Sequence, residues 1–192
     1  MKRRKAPSRR EEGLDMIELL RSRRSVRQFQ DRAVDTATRQ LLSEGLLRAP
    51  SSRNFQPWEF YWVDRREHLE ALSKVKEHGA AFVARAPLAV VVAAREERSD
   101  VWIEDASIAS IVVQLVAHSL GLGSCWAQIR RRESPDGGSA EEAVREVLGL
   151  SAGVRVLSIV AVGYPDEGKP PIAREALPWH KVHENHLSES LE

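Results

Sequence analysis

Arg23-Arg24-Ser25-Val26-Arg27 places three guanidiniums and one hydroxyl within five residues. Arginine offers permanent charge and a planar fork that grips two oxygens, so the string suits a phosphate. Taken alone, such a string is more often a solvated cluster. A second constellation is Ala49–Trp58, APSSRNFQPW. Its Ser, Asn and Gln side chains supply short donors and acceptors between two prolines, enough to hold a polar ring edge or to form an ordinary capped turn. The third is Gly121–Gln128, GLGSCWAQ. Glycines let backbone approach a ligand, and successive N–H groups can face an anion or a ring nitrogen; a plain helix C-cap uses the same residues.

Other reactive side chains carry less. His118 lies in an apolar helical stretch and reads as packed or capping. His180, His183 and His186 recur every third residue near the C-terminus, but no fourth ligand is fixed beside them, so no metal is expected. Cys125 has no base identifiable beside it and reads as a small buried thiol. The chain has no Ser-His-Asp signature, phosphate-binding P-loop or GxGxxG turn.

Helices and strands alternate around these segments. Met16–Leu20 is a short apolar helix face ending near Arg23. Asp35 is a helix N-cap, and the helix it opens runs through Leu47 to Arg48 before Pro50 stops it. Ser51–Pro57 is a polar loop, and Glu59–Val63 is an aromatic strand. Arg66–Glu77 reads as an exposed amphipathic helix, and Pro87–Ala94 as a strand covered on both faces. Glu104–Leu120 is the longest helix, apolar nearly all round, which suits the centre of a fold or a subunit interface. Ser139 and Glu142 form a capping box for a helix ending at Gly149. Arg155–Val162 is another buried strand. Asp166–Glu192 is a polar arm, anchored by Trp179 and Leu187, of the kind that reaches over a neighbour. The fold class is α+β.

At 192 residues the chain is one domain, 14–192, behind a basic, solvated tail at 1–13. Lys and Arg number 29 against 28 Asp and Glu, so no nucleic-acid-binding field is expected. One cysteine excludes an intrachain disulfide framework and points to a reducing, cytoplasmic setting. Gln114 and His118 interrupt the longest apolar stretch, which reads as a buried helix and not a membrane span.

Together, RRSVRQF at Arg23–Phe29, APSSRNFQPW, the Glu104–Leu120 helix running into GLGSCW, and VGYPDEGKPP at Val162–Pro171 resemble the nitroreductase family. The agreement in order and spacing covers about Met16 to Leu187. The resemblance implies a mostly antiparallel central sheet flanked by helices, in an intertwined homodimer with two FMN sites at the interface. Arg23, Arg24, Ser25 and Arg27 would hold the FMN phosphate and ribityl chain and reach the pyrimidine edge. Pro50, Ser51, Ser52 and Asn54 would contribute from the other subunit, Gln56 of the same loop is a further cofactor-binding candidate, and Trp126, Ala127 and Gln128 would lie along the isoalloxazine. Arg174 matches a basic residue that meets the phosphate; Ile172 stands where the family often has Lys, and Lys169 is the substitute.

The implied activity is hydride transfer from NAD(P)H through FMN N5 to an electron-poor small-molecule acceptor, nitroaromatic or quinone-like, by a ping-pong route. No side chain need then act as nucleophile or acid, because the cofactor carries the chemistry. Two rivals are a flavin-binding or flavin-modifying protein without turnover, and a binder of anionic partners through the basic tail.

Overall fold

The computed structural model describes residues 15–184. The tail at 1–13 and the C-terminal anchor Leu187 lie outside them. The elements run α1 (Met16–Ser22), α2 (Thr36–Leu47), β1 (Trp58–Val63), α3 (Arg66–Leu72), β2 (Leu88–Arg95), α4 (Trp102–Ser119), β3 (Gly123–Gln128), α5 (Ala140–Leu148) and β4 (Val154–Gly163). The four strands form one sheet in the order β1-β2-β4-β3, with every neighbouring pair antiparallel. The expected α+β class and antiparallel sheet are both present.

The apolar run of β2 is explained by layers on both faces of the sheet. Leu88, Val90, Val92 and Ala94 pack with α2 and α4 residues such as Leu42, Leu46, Ala109 and Val113. Ala89, Val91 and Ala93 point the other way, into a cluster with Leu69, Leu72, Val83 and Val144. Period-two alternation is thus buried twice over, and the sequence shows a continuous hydrophobic run. Trp58 Nε1 is buried in this sandwich without a hydrogen-bond partner among the described residues, but the polar groups at its centre pair with one another. Ser110 on α4 and Ser158 on β4 approach to 3.1 Å, and Gln114 Nε2 donates to the Ser110 carbonyl.

Local signals set several boundaries. Asp35 accepts from the Thr38 N–H at the start of α2. The Ser139–Glu142 capping box opens α5, both of its hydrogen bonds being present. One expectation needs correction. α3 ends at Leu72 and not Glu77, and Val75 beyond it is buried by a turn instead of a helical face. Gly123–Gln128, to which the sequence assigns no strand, forms β3, paired along its length with β4.

Several large apolar side chains remain on the surface. Met16, Ile17 and Leu20 of α1 are exposed, with Leu19 alone of that helix buried. Ile108 and Ile111 of α4 are also exposed. Among the described residues, no helix is long and apolar enough to cross a membrane.

Candidate functional site

Arg23 ends α1, and the chain behind it is drawn against the edge strand β3. Val26 N–H donates to the Ser124 carbonyl at 2.9 Å, and Ser25 bridges Ser124 in parallel. Gly123 makes this approach possible, because a Cβ there would sit 2.7 Å from Val26 Cβ. Its role is close packing of two protein segments. Gly121, by contrast, turns with φ +75 at open space on the rim of the site.

Between α1, the end of α4 and the segment after β4 lies a cavity of about 210 Å³. Arg23, Arg24, His118, Glu167 and Lys169 line it, together with the Gly121–Ser124 backbone. Arg24 donates to the Pro170 carbonyl and so ties α1's end to the segment after β4. Lys169 Nζ donates to the Ser25 carbonyl at 2.8 Å and to Glu167 Oε1 at 3.0 Å. Glu167 also accepts the Arg27 N–H at 2.5 Å. That backbone bond first, and Lys169 second, hold its carboxyl below the usual range. Three cations face one carboxylate, which leaves two net positive charges in the cavity wall. A phosphate monoester carries roughly that charge with opposite sign near neutrality. The donor set therefore fits the phosphate end of a nucleotide cofactor.

β3 is an edge strand, so from Ser124 to Gln128 it keeps backbone groups that face away from β4. About 13 Å of strand extends beyond the cavity, at roughly 3.3 Å per residue. Trp126 Nε1 donates to Gln128 Oε1 at 3.0 Å, and Gln128 Nε2 donates to the Arg130 carbonyl at 3.1 Å, fixing both side chains. Ala127 and Cys125 are buried on the opposite face. Burial pushes the Cys125 thiol up, the behaviour of a packed and unreactive group.

The polar loop before β1 is conformationally unusual. Arg53, Asn54 and Gln56 all have positive φ, at 50, 58 and 47 degrees. Non-glycine residues rarely hold that region unless their surroundings fix it, and such strain gathers at binding sites. Here the surroundings are specific. Buried Asp105 of α4 accepts the Ser52 N–H at 2.8 Å and the Ser99 hydroxyl at 3.2 Å. Ser51 Oγ accepts the Gln56 N–H, and Gln56 Nε2 donates to Asn54 Oδ1 at 3.1 Å.

The sequence-predicted residues thus fall into groups. Arg23 and Arg24 line the cavity, and Ser25 borders it through its carbonyl. Arg27 directs its guanidinium over Phe82, 5.8 Å from the ring centre, outside the lining. Lys169 lines the cavity and Arg174 does not; Arg174 is exposed and stacks on Trp179 at 4.8 Å. Pro50, Ser51, Ser52, Asn54 and Gln56 form their own loop and do not line the cavity of their own chain. Three participants escaped sequence reasoning. Glu167 and Asp105 pair with backbone N–H groups far away in sequence, which no local pattern reveals. His118 was expected to be packed or capping, yet it lines the cavity. His186 of the histidine series lies outside the described residues.

The family model described as "Nitroreductase family" matches residues 20–78 and 74–164. A Methanothermobacter thermautotrophicus protein named for NADH dehydrogenase/NAD(P)H nitroreductase activity is 32% identical, over 88% of this chain and 86% of its own length. A solved structure, an FMN-dependent nitroreductase from Clostridium difficile, is 42% identical with a TM-score of 0.87, covering 89% of this chain and 99% of that one. The NADPH:FMN oxidoreductase of Vibrio harveyi, solved with NAD+, shares the fold at 24% identity and a TM-score of 0.73, over 91% of this chain and 78% of that one. With the family model matched along most of its length, the chain belongs to the nitroreductase family.

Proposed function

We propose that the protein is an FMN-dependent oxidoreductase that takes hydride from NAD(P)H and delivers it to an electron-poor acceptor, nitroaromatic or quinone-like. The observation that carries this reading is the cavity wall, in which Arg23, Arg24 and Lys169 outnumber Glu167 beside the edge strand β3. FMN, when bound, supplies reversible hydride uptake at its N5. The chain's own residues supply placement. Arg23, Arg24 and Lys169 hold the phosphate, Ser25 borders it, and Arg27 serves the pyrimidine side from outside the cavity. Outward-facing backbone of β3 around Trp126, Ala127 and Gln128 lies along the ring and offers N–H groups to it. Gln128, locked by Trp126 and Arg130, keeps that surface rigid. Arg174 reaches the phosphate only if the arm beyond Lys169 is repositioned, so Lys169 is the contact we assign.

The working unit in this proposal is a homodimer with two shared sites. Supporting it are the apolar surfaces of α1 and α4 that one chain leaves uncovered, at Met16, Ile17, Leu20, Ile108 and Ile111. The strained loop with Pro50, Ser51, Ser52, Asn54 and Gln56 is held by Asp105 yet does not line its own chain's cavity, as a segment serving the partner subunit would not. A lone, buried thiol goes with a reducing cytoplasmic setting.

Steady-state kinetics test the reaction. NADH or NADPH oxidation should depend on added quinone or nitroaromatic, with parallel double-reciprocal lines as each substrate is varied. Intersecting lines would exclude alternate occupancy of one face, and absence of turnover with every acceptor would leave a flavin-binding protein.

A further inference from the structure

His118 stands in the last turn of α4 and contributes to the cavity wall. Ser22 Oγ lies 2.6 Å from the Glu18 carbonyl oxygen, which can only accept, so the single hydroxyl proton is committed there. The same oxygen lies 2.8 Å from His118 Nε2 and must accept from it. Nε2 therefore carries a proton in both charge states of the ring, and Nδ1 is the nitrogen that gains one on ionisation. The charged groups that share the cavity wall with the ring are Arg23 and Arg24 at the end of α1, and Glu167 and Lys169 after β4. Glu18 on α1 is paired with Arg21, and on α2 Glu44 is paired with Arg48. Burial first, and the charge of Arg23 second, hold the imidazole below the ordinary histidine value. Lys169 is the one wall cation that meets a carboxylate, so the balance facing His118 is positive.

We propose that His118 is a fourth, proton-gated donor of this cavity: neutral before a phosphate monoester enters, cationic once it is bound, so that binding takes up a proton. This rests on the reading of the cavity as the phosphate site. The physical cause is charge balance. Three fixed cations disfavour a fourth, and an incoming dianion reverses the sign of the field at the ring. The Ser22 acceptor holds the ring through Nε2 and leaves Nδ1 to be the site that changes.

The test follows flavin release from the full-length protein by fluorescence on dilution, between about pH 9 and pH 6, a range spanning the ordinary histidine value. Wild type and His118→Gln are each loaded with FMN or riboflavin. FMN's own phosphate ionisation near pH 6 cancels when the two proteins are compared at one pH. The two should retain FMN equally at the alkaline end. At the acid end wild type should hold it about ten-fold more tightly, the size of one charge-assisted hydrogen bond. Riboflavin retention should not distinguish them at any pH. Parallel FMN curves for the two proteins would overturn the role of His118. A second measurement needs no variant to fold: by NMR, the His118 ring should titrate at higher pH in the FMN-loaded protein than in the riboflavin-loaded one, and equal titration would refute the proposal. Arg23→Ala separates the two layers. If it keeps full preference for FMN over riboflavin, the phosphate reading itself fails and His118 falls with it. If it loses that preference while His118→Gln tracks wild type, only the His118 inference is wrong.

Discussion

Gly123→Ala probes how the cationic segment is brought to the edge strand. A Cβ at position 123 would meet Val26 Cβ, Cγ1 and Cγ2 at 2.7, 2.8 and 2.9 Å. Carbon atoms pack at about 3.5–4.0 Å, so the two segments must part by close to 1 Å. The Val26 N–H to Ser124 carbonyl bond, 2.9 Å long, crosses the same gap and would stretch with it. Overpacking of this kind costs about 1–3 kcal/mol. In a domain of this size that lowers the melting temperature by roughly 2–12 °C, at 2–4 °C per kcal/mol. Because Arg23 and Arg24 are carried on the displaced segment, FMN retention should fall as well. The assay is a double-mutant cycle by thermal melting and flavin release, using Gly123→Ala, Val26→Gly and the pair. Removing the Val26 side chain removes the clash, so the pair should be more stable than the sum of the single losses by about the overpacking cost. Simple additivity, or Gly123→Ala with wild-type stability and FMN retention, would refute the packing role of this glycine.

Three further outcomes follow from the same geometry. Arg23→Ala should weaken FMN binding about 10- to 150-fold, the equivalent of roughly 1.5–3 kcal/mol for a charge-assisted hydrogen bond, while riboflavin binding barely changes; Arg27→Ala, outside the cavity lining, should not discriminate the two flavins by flavin-release fluorescence. The Glu167 carboxyl is depressed below 4.5 by the Arg27 N–H and then by Lys169; its contribution to stability is complete above that value and is lost as pH falls through the depressed one, so urea midpoints should drop more steeply between about pH 5 and pH 3 for wild type than for Glu167→Gln. The Cys125 thiol is buried and pushed up, so a colourimetric thiol reagent should react with it only on unfolding, and fast reaction in the native protein would contradict the packed environment of β3.

Much of this fold is legible in the sequence wherever a local rule acts. Asp35 and the Ser139–Glu142 pair announce α2 and α5 because their caps use neighbours three residues away. The apolar runs of β2 and β4 announce strands covered on both faces. β3 escaped because Gly-Leu-Gly-Ser-Cys carries a loop's composition; it is a strand only because β4 pairs with it and because Gly123 must admit Val26. α3 was read too long because Val75 continues the apolar spacing while being buried by a turn. At the site, residue types marked Arg23, Arg24 and the Pro50–Gln56 loop. What types do not mark is pairing across the chain: Asp105 to Ser52, Glu167 to Arg27, and His118 to Ser22. Each joins segments 53 or more residues apart, beyond the reach of any periodicity.

The central claim is that this chain holds FMN and that the flavin exchanges hydride with NAD(P)H and an acceptor. The most direct measurement is the visible absorption of the purified protein under anaerobic conditions, followed by identification and quantification of the flavin released on denaturation. The account predicts a flavin spectrum, about one FMN per chain as a two-fold dimer with one set of motifs per chain requires, bleaching on addition of NADH or NADPH, and recovery when a quinone or nitroaromatic is added. Colourless protein that takes up no FMN at micromolar concentration, or bound flavin that neither nucleotide bleaches, would contradict it.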